Sequence, residues 1–122
     1  DTGSKDAQID RFQASARKPV ANASTAKDFL YRLHETVQRG HALAKSGELD
    51  PVKQRNHAAE LKRLRDESEK FAVLDSPYSE CTEAAIDAAA SWQGLSADNY
   101  HGFTENHIGY VGAAGECSKA LN

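Results

Sequence analysis

Few side chains in this sequence could do chemistry: two cysteines, five histidines and a set of carboxylates in the second half. A thiolate pair that holds zinc or shuttles electrons needs C-x-x-C spacing, and Cys81 and Cys117 are far apart with no C-x-x-C-H haem attachment sequence. A disulfide, Cys81–Cys117, is favoured over two unpaired buried thiols in a cytosolic protein; it persists in an oxidising compartment and points to a periplasmic or secreted protein.

His101, Glu105 and His107 fall close together, with Asp98 just before them, and a metal could use such a set. The spacing matches no specific site. There is no H-E-x-x-H, and no glutamate is followed three residues later by histidine as in di-iron bundles. His107 lies on an apolar stripe and reads as a hydrogen-bonded core residue; His34 and His41, two turns apart on one helix, read the same way. No metal and no other cofactor are expected.

Glu80, Glu83 and Asp87 form an acidic stripe at helical spacing, with Tyr78, Tyr100 and Phe103 near its two ends. Nothing in the pattern drives the pKa values of Glu83 and Asp87 apart, so they are not read as an acid–base pair. No G-x-S-x-G elbow, phosphate-binding glycine loop or local Cys-His signature occurs, and a catalytic role is not expected. Carboxylates beside aromatics suit recognition. The expected binding residues are Glu80, Glu83, Asp87, Asp98, Tyr100 and His101.

The elements that must position these groups are all helical. Ser4 can cap a short helix carrying Ile9, Phe12 and Ala16, which Pro19 ends. From Ser24 to Gly47 the residues Ala26, Leu30, Leu33, Val37, His41 and Ala44 share a face. Asp50-Pro51 is a cap followed by a first-turn proline, opening a helix with Leu61, Leu64, Ser68 and Phe71 inward. Ser76-Pro77 repeats that signal before Cys81, Ala85, Ala88 and Trp92, and Thr104 caps a last helix with His107, Tyr110, Ala114, Cys117 and Leu121 inward. No segment alternates like a strand.

The expected fold is all-α: a small antiparallel bundle of four main helices, with a possible short N-terminal helix, and one disulfide. Residues 1–122 read as a single domain, 1–23 as an arm or short helix and 24–122 as the bundle core. In the final hairpin both cysteines lie 13 residues from the connection, Cys81 before Gly94 and Cys117 after Thr104. At 1.5 Å per residue that puts both about 20 Å along, at one level. Gly109, Gly112 and Gly115 cost the last helix about 1 kcal/mol each relative to alanine. Close packing on Ala84, Ala85, Ala88 and Ala89 is the favoured compensation, and a surface left bare for a partner is the alternative.

Charge is divided unevenly. Residues 1–70 carry 14 Lys and Arg against 11 Asp and Glu, and residues 71–122 carry 1 against 7. A net charge of −3 gives no concentrated basic surface, so no nucleic-acid partner is expected. No apolar run reaches the length of a membrane span. The chain starts at Asp1 and contains no methionine, which reads as a mature or trimmed form, and Asp1-Thr2-Gly3-Ser4 is like the tether that follows a signal peptide or a lipid-anchored cysteine. Asn22-Ala23-Ser24 fits the glycosylation pattern, but Ser24 serves better as a cap.

These features favour a non-catalytic protein-binding module of the bacterial envelope, such as an inhibitor or immunity protein against a secreted toxin, or an adaptor. Its partner would be another protein, with charge steering the encounter. No pattern sets an oligomeric state. The alternative is a small-ligand or metal carrier with Trp92, Tyr110, His107 and His41 lining a cavity inside the bundle.

Overall fold

The computed structural model describes residues 22–73 and 76–121; the expected helix with Ile9, Phe12 and Ala16 lies outside them. Four α-helices follow one another: α1 (Ala23–Ser46), α2 (Pro51–Glu67), α3 (Ser79–Ser96) and α4 (Tyr100–Ala120). A 3-10 turn, Ser68–Phe71, continues α2. Among the described residues there is no strand, and the chain is an all-α bundle with one disulfide.

The helix ends follow capping chemistry, at positions that partly differ from expectation. Asn22, not Ser24, caps α1: its side-chain oxygen accepts from Thr25 N at 2.9 Å while Thr25 Oγ1 accepts from Asn22 N at 3.0 Å. This reciprocal box satisfies two otherwise orphan donors and commits the asparagine of the glycosylation triplet. Gly47 ends α1 with φ 74°, where only glycine is unstrained. Asp50 caps α2 as expected, accepting from Lys53 N at 2.8 Å.

Ser76 does not cap α3; its hydroxyl accepts from Tyr78 N, and the helix opens at Ser79. Asn99 starts α4 a full turn before Thr104 by accepting from Gly102 N at 3.0 Å. Thr104, now inside the helix, donates its hydroxyl to Tyr100 O.

Contacts fix an antiparallel register throughout. Arg32 meets Glu67 and Arg39 meets Glu60 between α1 and α2. Thr82 donates to Ser68 O and Trp92 Nε1 to Gln54 O between α2 and α3. The Cys81–Cys117 bond, with Cα atoms 4.9 Å apart, joins the first turn of α3 to the end of α4. Gly94 lets the other end of that hairpin close, because a Cβ there would stand 2.6 Å from Phe103 N.

Phe29, Leu33 and Phe71 are fully buried, and the Phe29 and Phe71 rings lie 5.3 Å apart. Burial of each such side chain contributes about 1.5–3 kcal/mol. Leu30, expected inward, is only half-buried, because α1 is rotated so that Phe29, Thr36 and Gly40 face the core. α3 is the central element: Ala84, Ala85, Ala88 and Ala89 are all buried, and their small side chains let α4 pack closely on it.

Candidate functional site

Steps of three and four residues place Glu80, Glu83 and Asp87 along one side of α3. Glu80 and Glu83 are exposed, whereas the Asp87 carboxylate is half-buried against the Gly109 backbone, 2.8 Å from where a Cβ would stand. Burial, then the charges of Glu83 and Glu80, push the Asp87 pKa above the usual carboxylate range. Among the described residues no Lys, Arg or His pairs with any of the three. Like charges are therefore held together with no cation among the described residues to offset them.

Asp98, Tyr100 and His101 sit at the opposite end of the α3–α4 hairpin, roughly 16 Å from Asp87 at 1.5 Å per residue. The six expected binding residues thus form two groups rather than one patch. Asp98 occupies the turn with φ 56°, a left-handed conformation that aspartate tolerates better than most residues. Tyr100 is 77% exposed. His101 Nε2 lies 3.3 Å from Glu105 Oε1 on the surface, while His107 turns inward, so the histidines at the start of α4 do not share a site.

Inside the bundle, three histidines from three helices meet. The His41 and His107 rings are 4.9 Å apart, and His57 lies 4.3 Å from Trp92. Phe103 and Tyr110 complete the wall, and the Tyr110 hydroxyl shares a hydrogen bond of 3.0 Å with His34 Nδ1. His57 escaped the sequence reading, although Gly40 carried a trace of it. That glycine, in mid-helix, faces the His57 ring so closely that a Cβ would collide with Nε2.

Burial lowers the pKa of both His41 and His57. His107 and Lys45 lower His41 further; for His57, Glu60 opposes the shift while Arg39 and His41 reinforce it. Burial pushes Tyr110 up to about 12. His57 Nε2 is buried without a hydrogen-bond partner among the described residues. The space between these rings is only about 10 Å³, close to the minimum for one water. Among the described residues no group of three or more His, Cys, Asp or Glu is placed to hold a metal ion. The arrangement can pack neutral aromatic surface, but it offers no pocket for a substrate.

The outward face of α4 is different in kind. Ile108 is 65% and Val111 56% exposed, with Gly112 and Gly115 beyond them along the helix. The expected packing of the three glycines on the α3 alanines is not found. Gly109 meets the Asp87 carboxylate, and a Cβ on Gly112 or Gly115 would have nothing within 4 Å among the described residues. Tyr110, Ala113 and Cys117 are the buried residues of α4 instead. The reason is rotation: three residues advance a helix by about 300°, so successive glycines step about 60° around it and away from α3.

No helix of the described residues is long and apolar enough to cross a membrane. This chain matches no family model, no curated protein and no solved structure.

Proposed function

We propose that this chain is a non-catalytic protein-binding module of the bacterial envelope, periplasmic or secreted, that docks a basic partner on the outward row of α3. An inhibitor or immunity protein against a secreted toxin, or an adaptor, would work in this way. The observation that carries the reading is the row Glu80, Glu83 and Asp87, unpaired with any cation among the described residues and crowded enough to contribute to the rise of the Asp87 pKa. A partner's lysines or arginines would relieve that repulsion and steer association.

The disulfide supports the oxidising compartment. A ligand carrier would need the interior to open first, since the space between His41, His57 and His107 holds about one water.

Affinity capture from envelope and secreted fractions under non-reducing conditions tests the proposal, with mass spectrometry to identify what is retained. The native chain should hold a stoichiometric protein partner that added salt releases, and the Glu83→Lys/Asp87→Lys variant should lose it. Equal retention by both would refute the acidic row as the docking surface.

A further inference from the structure

We infer that the outward face of α4 is a self-association seam, and that a second copy of this chain packs on it as an antiparallel helix pair. At about 100° per residue, Thr104, Ile108, Val111, Gly112, Gly115 and Lys119 all fall on the side of α4 away from its buried residues Tyr110, Ala113 and Cys117. Ile108 points almost directly outward. Ile108 and Val111 lie in one half of this stripe and Gly112 and Gly115 in the other, an order that suits a two-fold axis.

An isologous pair must bring each patch against itself in reverse. If the axis passes between Val111 and Gly112, position i lies level with position 223 − i of the other chain. Ile108 then stands opposite the partner's Gly115, in the gap that the partner's Gly112 and Gly115 leave open. The two Val111 side chains meet beside the axis. Each large residue finds a bare stretch of helix, which accounts for glycines that have no neighbour among the described residues.

Charge agrees with the same register. Lys119 is the sole Lys or Arg after residue 70; its side chain is 77% exposed and lies 3.2 Å from Glu116 Oε1 of its own chain, a surface pair it would exchange across the seam. It falls level with the partner's Thr104, one residue from the partner's Glu105, whose counterpart in this chain is 69% exposed. Both lie to the same side of the seam, so two symmetric Lys119–Glu105 pairs would close its ends. On the other side, a groove of about 350 Å³ runs between α1 and α4, lined by Leu30, Tyr31, His34 and Leu121. The partner's Tyr100, an aromatic side chain otherwise in solvent, arrives at the mouth of that groove.

Sedimentation equilibrium of the full oxidised chain, from about 1 µM to about 1 mM, tests the inference. The mass should rise from one chain to two with an affinity in the micromolar range, since a single helix pair is a small interface. Ile108→Glu should abolish the rise across that range. Glu105→Lys and Lys119→Glu should each weaken it by about 5-fold, and the double swap should restore it, because two exposed pairs are reversed and then re-formed. All three substitutions lie at exposed positions, and circular dichroism checks that each variant is folded.

A single-chain mass at every concentration overturns the inference, as does a dimer that Ile108→Glu leaves intact or a double swap that fails to recover. The acidic row lies on α3 and meets α4 where Asp87 stands against Gly109; Glu80→Lys/Glu83→Lys, which leaves that contact in place, should dimerise normally, so loss of one function can be told from loss of the other.

Discussion

Four glycines inside helices should respond to alanine with opposite signs, and the structure says which. Gly112 and Gly115 have helical backbones and open space where a Cβ would go. Alanine there removes backbone freedom from the unfolded chain and adds no clash, a gain of about 1 kcal/mol at each site. Gly112→Ala/Gly115→Ala should therefore stabilise the single chain by about 2 kcal/mol, raising Tm by roughly 8 °C at about 4 °C per kcal/mol.

Gly94→Ala goes the other way. Its Cβ would stand 2.6 Å from Phe103 N and 3.0 Å from Phe103 Cα, backbone atoms that cannot turn aside. The hairpin must spread, at a cost of about 1–3 kcal/mol. Gly40→Ala, pressed on the His57 ring, should lose a similar amount. The assay is urea unfolding followed by circular dichroism, at protein concentrations well below the affinity of any self-association. If the Gly112/Gly115 variant were no more stable than the native chain, or Gly94→Ala no less, the assignment of these glycines to open and closed surfaces would be wrong.

Reducing the Cys81–Cys117 bond, or replacing both residues with alanine, should cost about 4 kcal/mol for a loop with separation 36, measured as a drop in urea midpoint. Stability should also fall in mild acid. His41 and His57 have folded pKa values below the ordinary 6.5, so the unfolded chain binds more protons between the two values. Stability is then full above about pH 6.5 and erodes as pH drops through that window; thermal melts between pH 7.5 and 5 on the native chain and on His57→Gln, whose slope should be shallower, check it. Asp98→Gly should stabilise by about 0.5–1 kcal/mol by relieving φ 56°, and an unchanged melt would mean the aspartate side chain supports that turn.

Much of the architecture was legible because helix signals are local. The cap at Asp50, the proline after it and Gly47 mark the α1–α2 turn at the right residues, and similar distances from the hairpin turn pair Cys81 with Cys117 even though α4 starts before Thr104. Rotation about a helix axis is harder to read. Leu30 and Phe29 differ by one position, about 100°, and the stripe through Leu30 fits the periodicity nearly as well as the one that is buried.

The same difficulty hid the sites. A three-residue glycine repeat looks like a face but winds around the helix, and His57 is brought to Trp92 and Gly40 only by packing between three helices. The acidic row could be read directly, since residues on one helix keep their spacing. Its separation from Asp98, Tyr100 and His101 follows from the length of α3, which the expected surface overlooked.

The lone tryptophan gives the fold an optical handle. Its indole nitrogen donates to Gln54 O at 3.1 Å, while its ring lies 4.3 Å from His57. Emission from Trp92 therefore reports two events separately. Protonation of the neighbouring imidazole quenches the intensity, whereas parting of α3 from α2 wets the indole and shifts the band to the red. Acid loosening of the bundle could then be followed in time, with charging of the histidine resolved from the loss of packing that follows it.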